Sequence, residues 1–257
     1  MSGDGRGPFI VAHRGASEEK KEHTLAAFEH ALRVGADALE CDVRLTRDGH
    51  IVCVHDRRVD RTSTGTGTVS GLALDTMKSF DYGDDIERAD LLTLADLIAL
   101  VMDWTSKPVK LFIETKHPVR YGSLIENKVL AELHRFGIAQ PASAAHSRAV
   151  IMSFAPTAVW RVRRMAPLLP TVLLGDASFY LGGGAATAVG ATAVGPSIRT
   201  LRERPSLVDR AAAAGRATYC WTVDEQADVE LCHRLGVGWI ATNNPGRTRA
   251  WLERAAT

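Results

Sequence analysis

Three acidic residues occupy positions that could bring their carboxylates into one cluster. Glu40 and Asp42 are two residues apart in an apolar stretch that predicts a strand, so their side chains point to the same face. Glu114 and Lys116 repeat this spacing at the end of another predicted strand. If the two strands are neighbours in a parallel barrel, the carboxylates converge where the strands end, which is where barrel enzymes place their chemistry.

A cluster of this kind needs a compensating positive charge. Two like charges about 5 Å apart repel by roughly 3 kcal/mol in a medium of effective dielectric around 20, so bound protons or a cation must relieve three such contacts. Carboxylate oxygens suit hard ions, and the sequence predicts one divalent cation, Mg²⁺ or Ca²⁺, on Glu40, Asp42 and Glu114. The alternative, surface or salt-bridged acids, is disfavoured because apolar residues flank them.

A hairpin could bring a histidine beside this cluster. The dipeptide Asp48-Gly49 is typical of two-residue turns between antiparallel strands. With such a turn, Asp42 lies directly opposite His55 and both side chains share one face. A longer turn would shift the pairing and remove this inference.

A second histidine, His13, ends the predicted first strand and is followed by Arg14 and Gly15. A lone histidine is more often structural, but the guanidinium of Arg14 has the forked geometry that suits a phosphate. With His55 and Lys116, these groups indicate a phosphoester site. The imidazoles would exchange protons with nucleophile and leaving group, and the cation and basic groups would stabilise the phosphoryl charge.

Short apolar runs alternate with amphipathic helical patterns along the chain. The predicted strands are 8–12, 37–43, 109–115, 149–153, 171–174, 192–195, 216–222 and 238–241. The predicted helices are 24–34, 93–104, 122–136, 156–166, 206–214, 225–235 and 246–254. Eight β/α units in 257 residues favour an α/β fold of the (β/α)₈ TIM-barrel type. An open doubly wound sheet is the rival, but no GxGxxG follows the first strand.

One segment interrupts this alternation. About fifty residues separate the second predicted strand from the helix at 93–104, and they begin with a strand-like run at 50–55. We interpret the stretch at about 56–90 as an insertion in the second β/α unit of a single domain spanning 1–257. Its Gly/Thr-rich run lacks the GK[ST] ending of a phosphate-binding P-loop.

The composition narrows the class of protein. Basic and acidic residues number 31 and 30, for a net charge of +1, which argues against general nucleic-acid binding and a polybasic membrane anchor. We find no secretory signal and no run of 18 strongly apolar residues, so we expect a cytoplasmic protein without an integral membrane segment. The four cysteines form no CxxC pair and are interpreted as buried free thiols. The oligomeric state is left open.

Seven motifs, in this order and spacing, resemble those of the glycerophosphodiester phosphodiesterase family. They are His13-Arg14-Gly15-Ala16, Glu22-His23-Thr24-Leu25-Ala26-Ala27-Phe28, Glu40-Cys41-Asp42-Val43, Asp48-Gly49 through His55-Asp56 with Arg61-Thr62, Glu114-Thr115-Lys116, Ser153-Phe154 and Trp221-Thr222-Val223. The resemblance covers nearly the whole chain and implies a TIM barrel with an insertion after its second strand.

The resemblance also implies a role for each candidate residue. Glu40, Asp42 and Glu114 match the divalent-metal ligands, His13 and His55 the acid/base pair, Arg14 and Lys116 the phosphate-binding positions, and Trp221 a residue near the glycerol end of the substrate. The implied reaction is hydrolysis of a small-molecule glycerophosphodiester to glycerol 3-phosphate and an alcohol, as part of lipid and glycerol metabolism. Attack by a glycerol hydroxyl through a cyclic phosphate and direct attack by water both stay open, as does which histidine is the base.

Two other functions are compatible with the same barrel. One is a lysophospholipase D-type enzyme, which keeps the chemistry and changes the substrate. The other is a non-catalytic barrel that binds phosphodiesters, which is disfavoured because both histidines and all three carboxylates are present.

Two positions depart from the family motifs. His23 stands where the family has Asn, and Asn243 stands where it has Asp, in a Thr-Asn-Asn-Pro run. We interpret the second change as structural, with Asn244 as N-cap and Pro245 as first residue of the last helix. Asp224, directly after Trp-Thr-Val, is interpreted as the cap of the helix that follows it.

Overall fold

The computed structural model of this protein describes residues 7–120, 122–175 and 184–255. Its strands are β1 Phe9–His13, β2 Ala38–Leu45, β3 Ile51–Cys53, β4 Lys110–Thr115, β5 Ala149–Ser153, β6 Thr171–Leu174, β7 Ala193–Gly195, β8 Ala217–Cys220 and β9 Trp239–Thr242. Its α-helices are α1 Leu25–Arg33, α2 Leu74–Lys78, α3 Leu94–Asp103, α4 Leu124–Arg135, α5 Pro156–Met165, α6 Gly184–Ala188, α7 Ile198–Glu203, α8 Leu207–Ala213, α9 Gln226–Arg234 and α10 Pro245–Ala255.

The strands β1, β2 and β4–β9 form a closed parallel barrel. Neighbouring strands pair in chain order, and β1 pairs with both β9 and β2, which completes the circle. The (β/α)₈ prediction is therefore confirmed. The three α-helices of five or six residues, α2, α6 and α7, were not predicted, because so few residues do not establish a helical period in the sequence.

Residue types at the helix ends explain where several helices begin. Thr93 starts α3 with a capping box, in which its hydroxyl accepts from the Asp96 N–H and the Asp96 carboxylate accepts from the Thr93 N–H. Asn244 caps α10, since its Oδ1 accepts a hydrogen bond of 2.9 Å from the Arg247 N–H, and Pro245 is the first helical residue. The predicted cap of the last helix is confirmed.

The barrel interior consists of an apolar layer below a polar one. The apolar layer takes side chains from all eight barrel strands, among them Val11, Ala38, Phe112 and Tyr219. Two residues further along the same strands come His13, Glu40, Glu114 and Trp221. Because residues two apart face the same side of a strand, alternation alone carries these four side chains to the mouth.

The turn between β2 and β3 is longer than predicted. Leu45 pairs with Ile51, so three residues lie between the innermost hydrogen-bonded partners, Thr46 and His50. Gly49 adopts a φ of 80°, which the last residue of a three-residue hairpin loop requires. The Thr46 hydroxyl supports this turn by accepting a hydrogen bond of 2.9 Å from the His50 N–H.

This extra loop residue changes the register near the cluster. Asp42 lies opposite Val54, whose N–H donates to the Asp42 carbonyl at 3.0 Å. The prediction that Asp42 lies directly opposite His55 is wrong. His55 instead follows the end of the β2–β3 ladder, where the chain turns into the segment at 56–90.

The segment at 56–90 packs against β3 and contains α2 and a 3₁₀ turn at Val69–Gly71. Its contact with the β3 side of the hairpin is a small apolar cluster of its own. That cluster comprises Val52, Val54, Val59, Val69, Met77, Tyr82 and Leu91. The segment is thereby fixed over one side of the barrel mouth. No helix in the described ranges combines the length and apolar character needed to cross a membrane.

Candidate active site

The three predicted carboxylates meet at the mouth of the barrel. Strands β2 and β4 are hydrogen-bonded neighbours, and Asp42 is the register partner of Glu114. One oxygen from each of Glu40, Asp42 and Glu114 lies within 4.8 Å of the other two. All three side chains are buried, so the cluster is shielded from the solvent that would screen its charges.

Burial and mutual repulsion act on these acids in different ways. Burial raises the pKa of Glu40 well above its usual range and that of Glu114 to about 7, and the charge of Asp42 adds to both shifts. Burial also opposes ionisation of Asp42, but the positive charges around it, led by Lys116, hold its pKa well below its usual range. The cluster therefore combines one acid that is readily ionised, Asp42, with two that resist ionisation, Glu40 and Glu114.

This donor set fits a divalent cation. Its atoms are carboxylate oxygens, the ligands that Mg²⁺ and Ca²⁺ prefer. The Oδ2 atom of Asp42 is buried and lacks a hydrogen bond; the Arg14 Nε lies 3.1 Å away but is not aligned to donate to it. A buried carboxylate oxygen without a donor is available as a ligand.

The two predicted phosphate-binding residues lie on either side of the cluster. Lys116 Nζ is 2.8 Å from Glu114 Oε1 and 3.1 Å from Asp42 Oδ1. The Arg14 backbone N–H donates to Glu40 Oε2 at 3.0 Å, and its guanidinium lies beside Asp42. Both cations therefore stand next to the atoms that would hold an ion.

Backbone conformation explains the glycine of the His-Arg-Gly motif. Arg14 has a φ of 61° and Gly15 a φ of 87°, so the chain turns sharply as it leaves β1. A Cβ at Gly15 would lie 2.7 Å from the Cβ of Ala27 in α1, and only glycine allows this approach. The turn brings Arg14 back over the barrel mouth.

His13 is hydrogen-bonded to a side chain from the other end of the sequence. Its Nδ1 lies 2.8 Å from Asn243 Oδ1, and Asn243 Nδ2 donates to Asp224 Oδ2 at 2.6 Å. Since a carboxylate only accepts, Asn243 must present its oxygen to His13, and the imidazole therefore donates from Nδ1. This leaves Nε2 of neutral His13 as the nitrogen that can take up a proton.

Two interpretations of this region are corrected by the structure. Asp224 is not the cap of α9, whose N-cap is Glu225; its carboxylate accepts from the Asn243 N–H at 2.7 Å and from the Thr242 hydroxyl at 3.0 Å. Asn243 is not only structural, because it contacts His13. The sequence marked Asn243 as unusual, but no local pattern connects it with a histidine 230 positions away.

His55 is held by a different set of groups. Its Nδ1 lies 2.7 Å from Asp56 Oδ1, and Asp56 Oδ2 accepts a hydrogen bond of 2.6 Å from Arg61 Nε. Arg44 donates twice to the His55 carbonyl, at 2.9 and 2.7 Å. Nδ1 of His55 donates to the carboxylate, so Nε2 of the neutral ring is the nitrogen without a proton.

Both imidazoles lie close to the same carboxylate. Burial lowers the pKa of His13 and of His55, and in each case the negative charge of Asp42 acts in the opposite direction. The structure thus brings both predicted histidines within electrostatic reach of Asp42 even though the hairpin register differs from the prediction.

His23, the first departure from the family motifs, is hydrogen-bonded to the backbone of Asp42, a predicted metal ligand. Its Nε2 accepts a hydrogen bond of 3.1 Å from the backbone N–H of Asp42. Burial lowers the pKa of His23 to about 4, which keeps the ring neutral and Nε2 free to accept. Motif comparison gave no hint of this contact, because it depends on a φ of 58° at His23.

Glu22 joins the two sides of the mouth. Its carboxylate accepts two hydrogen bonds of 2.8 Å from Arg61 and lies 3.3 Å from Arg14 Nη1. Burial of Glu22 would raise its pKa, but these partners lower it to about 2. The residue belongs to a recognised motif, yet it was not among the predicted site residues.

Trp221 follows β8, across the barrel from β4, and it forms an aromatic pair with Phe154, which follows β5. Its Nε1 donates to the Gly195 carbonyl at 2.9 Å, which fixes the ring. The ring meets Phe154 edge to face, with centroids 5.3 Å apart, and Phe154 is 44% exposed. This pair is an apolar wall, and Phe154 is a further residue that was not among the predicted site residues.

The chain is similar to known proteins over nearly its full length. A family model described as "Glycerophosphoryl diester phosphodiesterase family" matches residues 13–247. A "Probable glycerophosphodiester phosphodiesterase 1" of Mycobacterium tuberculosis is 64% identical, covering 96% of this chain and 93% of that protein. A "Glycerophosphodiester phosphodiesterase" of Caldanaerobacter subterraneus is 32% identical, covering 92% of this chain and 94% of that protein.

A solved structure shares the fold. It is an Oleispira antarctica phosphodiesterase in complex with the product sn-glycerol-3-phosphate, with a TM-score of 0.83 and 19% identity. The match covers 96% of this chain and 97% of that one. At this identity the likeness concerns the fold alone.

Proposed function

The chain belongs to the glycerophosphoryl diester phosphodiesterase family, and on that basis we propose that it hydrolyses glycerophosphodiesters to glycerol 3-phosphate and an alcohol. One observation carries the proposal. Three buried carboxylates offer oxygens within 4.8 Å of one another, beside two cationic side chains and within electrostatic reach of two imidazoles. The glycerol 3-phosphate bound to the Oleispira antarctica phosphodiesterase agrees with this product.

Glu40, Asp42 and Glu114 would hold one divalent cation, Mg²⁺ or Ca²⁺. Bound there, the ion would polarise a phosphoryl oxygen as a Lewis acid and offset the charge of the three acids. Lys116 contributes a positive charge that is half-buried and fixed between Glu114 and Asp42. Such pre-positioned charge stabilises a transition state without reorganisation when the reaction takes place.

Arg14 and Lys116 bind the phosphoryl oxygens from two sides in this proposal. The fork of Arg14 is restrained by Glu22 and Asp42, and it lines a cavity of about 410 Å³ together with His13. A guanidinium in this position can donate two parallel hydrogen bonds to a phosphate. Orientation of the diester between two fixed cations lowers the entropic part of the barrier.

His13 and His55 carry out the proton transfers. In each neutral ring Nδ1 donates to a protein oxygen, so Nε2 is the exchanging atom on both sides. One neutral imidazole accepts the proton of the nucleophile at Nε2. The other enters the reaction as an imidazolium that also carries a proton on Nε2, and it gives that proton to the departing alkoxide. Trp221 and Phe154 shield the glycerol end of the substrate from water. We expect the reaction to occur in the cytoplasm.

The purified chain with glycerophosphocholine, glycerophosphoethanolamine, glycerophosphoglycerol and a lysophospholipid tests this proposal. We expect release of glycerol 3-phosphate with added Mg²⁺ or Ca²⁺, and a loss of at least a hundredfold in kcat in EDTA that either ion reverses. Glu114→Gln is the matched variant, because it keeps the shape of the side chain and removes its charge. Absence of phosphodiester cleavage across the panel would contradict the proposal, and cleavage confined to the lysophospholipid would reassign the substrate.

A further inference from the structure

A basic cavity lies where β2 and β4 end. Its volume is about 340 Å³, and Arg44, Arg57 and Arg120 line it. The other lining side chains are Leu45, Val69, Ser70, Pro118 and Val119. Among the described residues that line this basic cavity, three carry guanidinium groups and none is acidic.

The basic cavity continues outward from the proposed active site. Arg44 follows Asp42 by two residues on β2, so the two side chains share a face at a spacing of about 7 Å. Arg57 likewise follows His55 by two residues, and the opposite wall begins two residues after Lys116. Three chain segments that carry proposed catalytic or ligand residues therefore run on into this cavity.

Local contacts fix part of this wall. Arg44 is half-buried, and its Nε and Nη2 both donate to the His55 carbonyl, so its side chain cannot swing away. Burial lowers the pKa of Arg44, Asp42 and Glu114 oppose that shift, and the charge of Arg57 adds to it. The basic cavity thus lies within electrostatic reach of the acidic cluster and holds at least two cationic groups close together.

Substrate geometry indicates what this cavity receives. Trp221 follows β8, which lies across the barrel from β2 and β4. A diester with its glycerol end beside Trp221 and its phosphate over the carboxylates directs its second alcohol towards β2 and β4. The basic cavity is therefore where the leaving alcohol extends.

We propose that this cavity is a subsite for a negatively charged group on the leaving alcohol, so that the enzyme prefers glycerophosphodiesters whose alcohol carries a phosphate or a carboxylate. The inference rests on the proposed function. Guanidinium groups pair with these anions through charge-assisted hydrogen bonds, whereas a cationic alcohol such as choline would be repelled.

Three substrates that differ only in the leaving alcohol provide the test. They are glycerophosphoglycerol, the same compound with a phosphate monoester on its terminal hydroxyl, and glycerophosphocholine. We expect kcat/KM to be at least tenfold higher for the phosphate-bearing compound than for the neutral one, and lowest for the choline compound. Raising the salt concentration from 0.05 to 0.5 M should shrink this preference, because the subsite is open to solvent.

Variants of the exposed arginines distinguish an effect of the subsite from an effect of the protein's overall charge. Arg57→Gln should reduce the preference ratio about fivefold, Arg57→Gln combined with Arg120→Gln should reduce it to near one, and Arg57→Lys should restore part of it. Arg210→Gln is the control, because it removes an exposed arginine on α8 that does not line the cavity. Its preference ratio should equal that of the unmodified chain.

The outcomes distinguish the two proposals. Hydrolysis of all three substrates with equal kcat/KM, or a ratio unchanged in the double variant, would overturn the subsite and leave the proposed function standing. Hydrolysis of none of them, with or without a divalent cation, would overturn both.

Discussion

The two histidines of the proposed active site are held by different parts of the molecule. His13 ends a barrel strand and contacts an amide that is itself fixed by Asp224. His55 follows the β2–β3 hairpin and contacts Asp56, which belongs to a solvent-facing network with Arg61. On the barrel side, His13 contacts the neutral amide of Asn243, which contacts the carboxylate of Asp224, and we call this pair the neutral relay. On the insertion side, His55 is hydrogen-bonded directly to the carboxylate of Asp56. His13 is thus oriented by neighbouring barrel strands, and His55 is oriented by charged side chains at the surface.

If both imidazoles exchange protons, their removal should have similar effects despite this difference in support. We expect His13→Gln and His55→Gln each to lower kcat by about 10²- to 10⁴-fold, with little change in KM. Steady-state kinetics on glycerophosphocholine, with circular dichroism to confirm folding, provide the measurement. A variant that keeps more than a tenth of the activity would show that only the other histidine transfers protons.

The neutral relay consists of one amide, Asn243, and one carboxylate, Asp224. We expect the enzyme to tolerate an exchange of these two residues better than the replacement of the amide by a second carboxylate. Asn243→Asp places a second carboxylate against Asp224, where Nδ2 now lies 2.6 Å from Oδ2, and we expect kcat to fall about 10- to 100-fold. Combining it with Asp224→Asn restores one acid and one amide and should recover most of the activity. The double-mutant cycle is read in kcat and KM separately.

A relay that only stabilises the fold would give another pattern. The melting temperature would then fall in the single variant and recover in the double variant, while kcat stayed constant.

On the insertion side, Asp56→Asn is the matched change. We expect a smaller loss of kcat there because Arg44 still donates hydrogen bonds to the His55 carbonyl.

Acid should weaken the insertion side first. The pKa values of Glu22 and Asp56 are lowered to about 2, mainly through hydrogen bonds from Arg61, although burial acts against this in both. A carboxylate with a depressed pKa stabilises the folded state above its unfolded pKa, near 4 to 4.5, and this contribution is lost as the pH falls towards 2. The melting temperature should therefore drop by a few degrees over this interval.

Arg61→Gln offers the comparison for this acid effect. It should be less stable than the unmodified chain at pH 7 and should lose less stability between pH 5 and 3, since its carboxylates have weaker partners to lose. If the melting temperatures of the two proteins fell by the same amount between pH 5 and 3, this network would contribute nothing to acid sensitivity.

The barrel side of this comparison was largely predictable from the sequence. Apolar runs placed the barrel strands, and the two-residue alternation put Glu40, Asp42 and Glu114 on one face of neighbouring strands. Strand order and direction are enough for this, because a parallel barrel has a single end at which the carboxyl ends of its strands meet. Trp221 was assigned to the substrate site only through the resemblance to the family motifs.

The contacts that depend on turns and on distant side chains could not be predicted. The β2–β3 turn gained a residue because Thr46 bonds to His50 across it, a choice that the Asp-Gly signal does not determine. The link between His13 and Asn243 joins the first and last barrel strands, and it becomes visible only when the barrel is closed. His23 reaches Asp42 through a backbone conformation that motif comparison does not contain.

Strand β2 changes partner halfway along one of its edges. Its lower part, Ala38 to Glu40, completes the ring by pairing with β1, and its upper part, Val43 to Leu45, pairs with β3. The ring of backbone hydrogen bonds is therefore finished before the hairpin begins. Closure of the barrel therefore does not depend on the hairpin, and we expect a change in the length of the hairpin loop to leave the ring of strands intact.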